Sequence, residues 1–215
     1  MKELKLKICG MKEADNILEV AELQPDYMGF IFYDKTPRNF DAEMPQIPSA
    51  VKKTGVFVNA KIDDILKKIR KYDLKALQLH GNESPEFCGE LNILLREVKI
   101  ELIKVFSIGE DFDFKDIKAY EAVVDYFLFD TKGKNKGGNG TVFNWEILKE
   151  YPSEKPFFLS GGIGLEQLSA VKELQEHFRA KGKEDVLYAI DVNSKFEDKP
   201  GLKNVGKLKK LEVRG

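Results

Sequence analysis

Short apolar runs return along this chain at a nearly constant interval, and that interval limits the fold more than any other feature. LKLKI at 4–8, YMGFIF at 27–32, TGVFV at 54–58 and ALQL at 76–79 open the series; ELIKVF at 101–106, YFLF at 126–129, PFFL at 156–159 and LYAIDV at 187–192 complete it. Each is rich in Ile, Val, Phe or Leu and stops at polar or turn residues, as strands do. Their ends are 22 to 31 residues apart. A hairpin needs only a tight turn, whereas parallel strands need a crossover of a dozen residues or more; every gap here is long enough for one.

Several gaps carry a helical stripe. Ile62, Ile65, Leu66 and Ile69 stand at i, i+3, i+4 and i+7, one face of a helix. Leu165, Leu168, Val171 and Leu174 repeat the pattern, and residues 13–23 place Ile17, Val20 and Ala21 inward. Ser84-Pro85-Glu86 reads as an N-cap, a proline at the first helical position and an acidic first turn. The second gap, broken by Pro45 and Pro48, has room for one short helix at most, and 110–120 is a poor helix. Eight strands alternating with helices predict an α/β fold, a (β/α)8 barrel forming one domain over residues 1–215. Such barrels typically run to about 250 residues, so the loops must be short. A doubly wound open sheet is the alternative, weakened because no Gly-x-Gly-x-x-Gly follows the first strand.

Composition removes other classes. There are 35 basic and 36 acidic residues, a net charge of -1, which argues against a partner that is nucleic acid or a membrane surface. Cys9 and Cys88 cannot make a disulfide framework, and with only His80 and His177 a multi-histidine zinc site is excluded. No run of 18 apolar residues is present, and the alternating N-terminus reads as a strand rather than a signal peptide. The expectation is a cytoplasmic, metal-free protein.

In a barrel the active site lies at the C-terminal ends of the strands, so what each strand delivers there matters most. The series is Cys9-Gly10, Thr36-Pro37-Arg38, Asn59, Gln78 with His80-Gly81, Asp130-Thr131, Ser160-Gly161-Gly162-Ile163-Gly164, and Asp191 with Asn193-Ser194. A glycine turn entering a helix brings backbone N–H groups close to an anion. Phosphate sites in barrels commonly lie between the loops after strands 7 and 8, which marks Gly161, Gly162, Asn193 and Ser194 as phosphate-binding candidates.

The same residues carry a resemblance. Lys7-Ile8-Cys9-Gly10, Gly29-Phe30-Ile31-Phe32 leading to Thr36-Pro37-Arg38, Gly55 to Asn59, and Leu77 to Gly81 come in order. Phe129-Asp130-Thr131, Gly137-Gly138-x-Gly140 with Phe143-x-Trp145, Leu159 to Ile163, and Asp191-Val192-Asn193-Ser194 through Pro200-Gly201 follow. Each motif is weak alone; eight in order over nearly the whole chain resemble the phosphoribosylanthranilate isomerases of tryptophan biosynthesis. Asn139, Asn144, Lys195 and Thr36 depart from the usual pattern. Lys195 stands where a glycine often follows Asn-Ser and can crowd or aid a phosphate.

The resemblance implies an Amadori rearrangement of N-(5-phosphoribosyl)anthranilate, an isomerisation with no redox step and no cofactor. It assigns the base to Cys9, the acid to Asp130, and contact with the anthranilate carboxylate to Arg38, whose guanidinium fork matches that group. A thiol near its ordinary value of about 8.5 needs only modest help to serve as a base. Asp130 must hold a proton to act as an acid, and residues 126–129 supply apolar neighbours. Trp145 and Phe143 are expected to anchor a helix, Cys88 to be core, and His177 to be solvated; His80 is left without a role.

Alternation adds one expectation beyond the resemblance. If Cys9 faces the lumen, Lys7 and Lys5 do too, and a lysine inside a barrel needs a counter-charge. Asp191 shares a face with Asn193, so Lys7 and Asp191 are expected to form a buried network that biases Cys9 toward thiolate, with Lys104 either joining it or pointing outward between helices. Two other readings compete: a different phosphate-binding barrel enzyme of the indole-glycerol-phosphate-synthase or aldolase type, relying on Lys7 or Lys104, and a non-catalytic sugar-phosphate-binding barrel. The chain is expected to act as a monomer or a homodimer.

Overall fold

The computed structural model describes residues 3–109, 112–131 and 145–211. Eight parallel strands close a barrel in chain order: β1 (Lys5–Ile8), β2 (Tyr27–Phe32), β3 (Lys52–Phe57), β4 (Ala76–Leu79), β5 (Glu101–Ile108), β6 (Tyr126–Thr131), β7 (Phe157–Ser160) and β8 (Leu187–Val192). Closure pairs β1 with β8 and sets Lys7 beside Asp191. All eight strands expected from the apolar runs are present.

The helices follow their local chemistry. α1 (Ala14–Ala21) buries Ile17, Val20 and Ala21. α2 (Ile62–Tyr72) opens with Asp63 and Asp64 and closes with Arg70 and Lys71, complementing its dipole at both ends. α3 (Pro85–Arg96) begins as its sequence predicts: the Ser84 side chain accepts from the Phe87 N–H at 3.3 Å. α4 (Leu168–Ala180) turns Val171, Leu174 and Phe178 inward. No helix joins β2 to β3, where the prolines stand. A 3₁₀ helix at Phe114–Tyr120, in which only Ile117 is buried, replaces an α-helix where the apolar stripe is weak.

Strand alternation divides the interior in two. Leu6, Ile8, Leu102, Phe127 and Phe129 face the helices in the larger apolar cluster. Tyr27, Ile103, Val105, Leu128, Phe158 and Ala189 fill the lumen. The N-terminal mouth is closed by polar groups: Tyr27 Oη donates to Glu101 at 3.0 Å, and Lys52 pairs with the same carboxylate. Lys5 lies at this mouth, partly exposed and 2.9 Å from Asp26.

Lys104 alternates with Ile103 and Val105, so it points outward and does not join the lumen network. Its Nζ donates to Gly81 O at 2.8 Å and to Glu83 at 3.1 Å, beneath the loop between β4 and α3. Cys88 is core on α3 and Trp145 is buried. His177 is half-buried rather than solvated, with Nε2 3.2 Å from Lys149 O. Phe143, Asn144 and the segment Gly137–Gly140, with Asn139, lie outside the described residues.

Candidate active site

A pocket of about 180 Å³ opens at the C-terminal ends of the strands. Its walls include Cys9 from the end of β1, Gln78 and His80 from β4, Asp130 from β6, Gly161 and Gly162 after β7, and Asp191, Asn193, Ser194 and Lys195 from β8 and beyond. A larger groove of about 290 Å³ lies at the opposite end of the barrel, between Glu3–Lys5, Gln24–Asp26 and Val51; it contains none of the residues singled out for acid, base or phosphate chemistry.

Cys9 is nearly buried, at 5% exposure. Space for its side chain comes from Gly29 on β2, where a Cβ would stand 2.6 Å from Sγ. That explains a glycine inside an otherwise large-residue strand. Beneath Cys9, Lys7 is fully buried and its Nζ donates to Asp191 Oδ2 at 2.7 Å. The expected lumen pair is therefore present. Its effect on the thiol differs from the expectation. Burial pushes the Cys9 thiol above its ordinary value, while Lys7, and more weakly Lys203, pull the other way without reversing it. Burial opposes the charge on Lys7 as well, but Asp191 and Cys9 together outweigh it and raise its pKa.

Asp130 lies on the lumen side of β6. Of the four residues before it, Phe127 and Phe129 pack outward, so only Tyr126 and Leu128 share its face. Its carboxylate is 29% exposed and 3.4 Å from His80 Nε2. Gln78 Nε2 in turn lies 3.2 Å from His80 Nδ1. The setting is a polar relay as much as an apolar one.

Two buried side-chain oxygens among the described residues lack a hydrogen-bond partner, Gln78 Oε1 and Asp191 Oδ1. Both belong to residues that line this pocket. Buried polar atoms are normally paired, so these two oxygens are acceptors that the protein leaves open to a bound group or to solvent in the pocket.

Gly161 and Gly162 adopt φ of 100° and 77°, a region that side chains seldom enter, and their turn leads through Ile163 and Gly164 to the helix. Asn193 and Ser194 face them from the next strand end. Arg38 is not among the residues lining the pocket; its side chain packs, like that of Asn193, against Gly10. Its Nε donates to both Glu197 oxygens, at 2.9 and 3.0 Å, and Nη2 to one of them. The Glu197 carboxylate therefore occupies the Nε–Nη2 edge of the guanidinium, and Nη1 takes no part in those bonds.

The family model for N-(5'-phosphoribosyl)anthranilate (PRA) isomerase matches residues 6–213. The chain belongs to that family. The N-(5'-phosphoribosyl)anthranilate isomerase of Parabacteroides distasonis is 45% identical over 211 residues, covering 95% of this chain and 90% of that one. The crystal structure of phosphoribosyl anthranilate isomerase from Thermus thermophilus shares the fold, with a TM-score of 0.78 at 24% identity over 97% of this chain and 96% of that one. A phosphoribosyl anthranilate isomerase solved with reduced 1-(o-carboxyphenylamino)-1-deoxyribulose 5-phosphate is 26% identical, with a TM-score of 0.70 over 96% of this chain and 95% of that one.

In this member of the phosphoribosylanthranilate isomerase family, several site residues escape a sequence reading. Glu197 and Lys203 lie on a hairpin beyond the barrel, β9 (Glu197–Lys199) and β10 (Leu202–Lys203). Lys203 donates to Glu197 and to Asn193 Oδ1, each at 2.7 Å, so the hairpin ties Arg38 to the end of β8. Only the density of charge around Pro200-Gly201 hinted at this. Gln78 was more legible: a polar residue two before His80 in an apolar strand must share its face. Among the described residues no group of three or more His, Cys, Asp or Glu side chains is arranged to hold a metal, and no helix is long and apolar enough to cross a membrane.

Proposed function

We infer that this chain isomerises N-(5-phosphoribosyl)anthranilate to 1-(2-carboxyphenylamino)-1-deoxyribulose 5-phosphate. The observation that carries the reading is convergence. Cys9 and Asp130, three strands apart around the barrel, line one pocket with the Gly161–Gly162 turn and Asn193–Ser194 in its wall.

In this reading the phosphate binds the turn and the end of β8, and the sugar lies across the lumen. Asp130 gives its proton to the furanose ring oxygen as the C1–O bond breaks, and the anilino nitrogen lone pair makes the Schiff base. The Cys9 thiolate removes the proton from C2, and the electrons pass to nitrogen as an enolamine. Tautomerisation returns a proton to C1 and leaves the ketone. Atoms and charge balance with no added reactant. Cys9 works against its burial here, so Lys7 is the group that keeps the thiolate attainable. The anthranilate carboxylate is assigned to Arg38, which stands outside the pocket wall and meets it, if it reaches the substrate, through the Nη1 group that its bonds to Glu197 leave over.

The lysine-based alternative is disfavoured by the ion pairs. An amine must be neutral to attack a carbonyl, yet Lys7 is held charged by Asp191 at 2.7 Å, and Lys104 is paired with Glu83 outside the lumen. Two free, buried cysteines, Cys9 and Cys88, fit a reducing compartment, the cytoplasm. Turnover is followed as loss of substrate fluorescence. Asp130→Asn is expected to lower kcat by about 10³-fold, the usual contribution of a positioned acid, with substrate binding retained. Undiminished turnover in that variant overturns the assignment.

A further inference from the structure

Lys195 is the first residue past the Asn193–Ser194 end of β8 that carries a charge toward the pocket, and it lines the same wall as Gly161, Gly162 and Ser194. Its Nζ lies 3.5 Å from Glu166 Oε1. Glu166 belongs to the short 3₁₀ turn Leu165–Gln167 that follows the glycine loop. The Lys195–Glu166 pair therefore bridges the two loops between which a phosphate would sit.

The pair is poorly suited to a structural task. Both side chains are more than half exposed, 53% for Lys195 and 60% for Glu166, and exposed ion pairs contribute little to stability. Glu166 is held mainly by its own backbone N–H, which draws its carboxyl below the usual range, with Lys195 as a weaker influence. Each member of the pair can thus leave the other without unsettling the fold. The rest of the candidate phosphate site offers backbone N–H groups, one amide and one hydroxyl, but no formal positive charge. Lys195 is the one lysine or arginine among the described residues that line the pocket; Lys203, outside that lining, is spent on Asn193 Oδ1 and Glu197.

We propose that Lys195 is a specificity residue for the phosphate dianion: in the free enzyme Glu166 holds its ammonium across the loop, and on binding the ammonium transfers to the phosphate. This rests on the isomerase reading for the identity of the substrate, but not for the binding test. Glu166 acts as an internal competitor, an anion that occupies the cation until a better anion arrives. The transfer moves no bond, only a salt-bridge partner.

The test sets two substitutions against each other. Lys195→Ala should raise KM about tenfold, the worth of one partly solvated charge-assisted contact, while kcat changes far less. Glu166→Gln should shift KM the other way, lowering it by about twofold as the competitor is removed. Binding of inorganic phosphate, measured directly by calorimetry, should follow the same order, with Lys195→Arg keeping most of the wild-type affinity. A role in merely fastening the two loops predicts that both substitutions weaken binding alike, and that result overturns the proposal. So does a Lys195→Ala protein with wild-type affinity for phosphate. Because the calorimetric arm needs no turnover, absence of isomerase activity in the wild-type chain sinks the functional reading and leaves this one to its own measurement.

Discussion

Of the buried lysine–carboxylate pairs, two lie on opposite sides of the barrel wall and are nearly identical as ion pairs. Lys7 and Asp191 meet at 2.7 Å inside the lumen; Lys104 and Glu83 meet at 3.1 Å outside it. All four side chains are at most 5% exposed. What separates them is the hydrogen bonding around each pair. Lys104 also donates to Gly81 O, and Glu83 accepts from the backbone N–H groups of Asn59 at 2.8 Å and Gly81 at 3.0 Å. That pair is saturated and fastens the β4–α3 loop to the wall. Asp191 Oδ1, by contrast, has no partner, and Lys7 extends its influence to Cys9. One arrangement is complete within the protein; the other keeps an acceptor that no protein group uses. On the proposed function, the same residue types serve stability in one pair and chemistry in the other, according to which polar atoms the protein leaves unspent.

The comparison breaks most visibly at Lys104. Lys104→Met strands a buried carboxylate, and the expected loss is about 3 kcal/mol of stability, read from denaturant unfolding. Folded molecules should keep their turnover. Lys104→Met combined with Glu83→Gln should recover part of the loss, since removing both charges is gentler than removing one. A variant that unfolds normally but isomerises poorly would place Lys104 in the chemistry and erase the contrast.

Lys7→Met tests the other side. Asp191 is already pushed toward its protonated form by burial, with Lys7 as its chief counterweight. Without Lys7 it can take up a proton instead of remaining a stranded charge, so stability should fall less than at Lys104. Activity should fall by about 10²-fold, the lower range for losing effective acid–base catalysis. The pH dependence gives the sign. With the Cys9 thiolate as the proposed base, kcat/KM is expected to rise with pH through the Cys9 ionisation. Lys7 lowers that ionisation against the larger effect of burial, so its removal should move the rising limb to higher pH. A limb that stays in place shows that Lys7 does not act through the thiol.

This contrast also marks how far the sequence could be read. Strand positions were legible because parallel wall strands are apolar runs ended by polar residues, and Ser84-Pro85 announced its helix by capping chemistry alone. The Lys7–Asp191 pair was legible because period-two alternation fixes which side chains share the lumen once Cys9 is placed there. The same rule gave Lys104 no unique side, because register around β5 was not known until Ile103 and Val105 were seen to fill the lumen. Chemistry carried by long-range closure was the least visible. Glu197 reaches Arg38 across 159 positions of chain, and no local pattern encodes that contact. Nor could sequence weigh the burial of Cys9 against the charge of Lys7, because both depend on how tightly the lumen packs.

Arg38 and Glu197 form a third pair that sharpens the rule. The carboxylate is saturated, accepting from Arg38, from Lys203 at 2.7 Å and from the Gly201 N–H at 3.1 Å. The guanidinium is not: its fork toward Glu197 uses Nε and Nη2, and the planar group has donors left on the Nη1 side. If unspent polar atoms mark function, the arginine end of this pair should matter to substrate and the glutamate end only to position it. Arg38→Ala should then raise KM for the carboxylated substrate about tenfold, the scale of one charged hydrogen bond. Its effect on an analogue lacking the carboxylate should be much smaller. Glu197→Gln keeps the shape and two acceptor-side contacts at most, so it should affect both substrates mildly and equally, through the loosened arginine. Equal losses for both substrates in Arg38→Ala would mean that the arginine, like Lys104, is a fastener, and that saturation on one side of a pair is enough to predict a structural role.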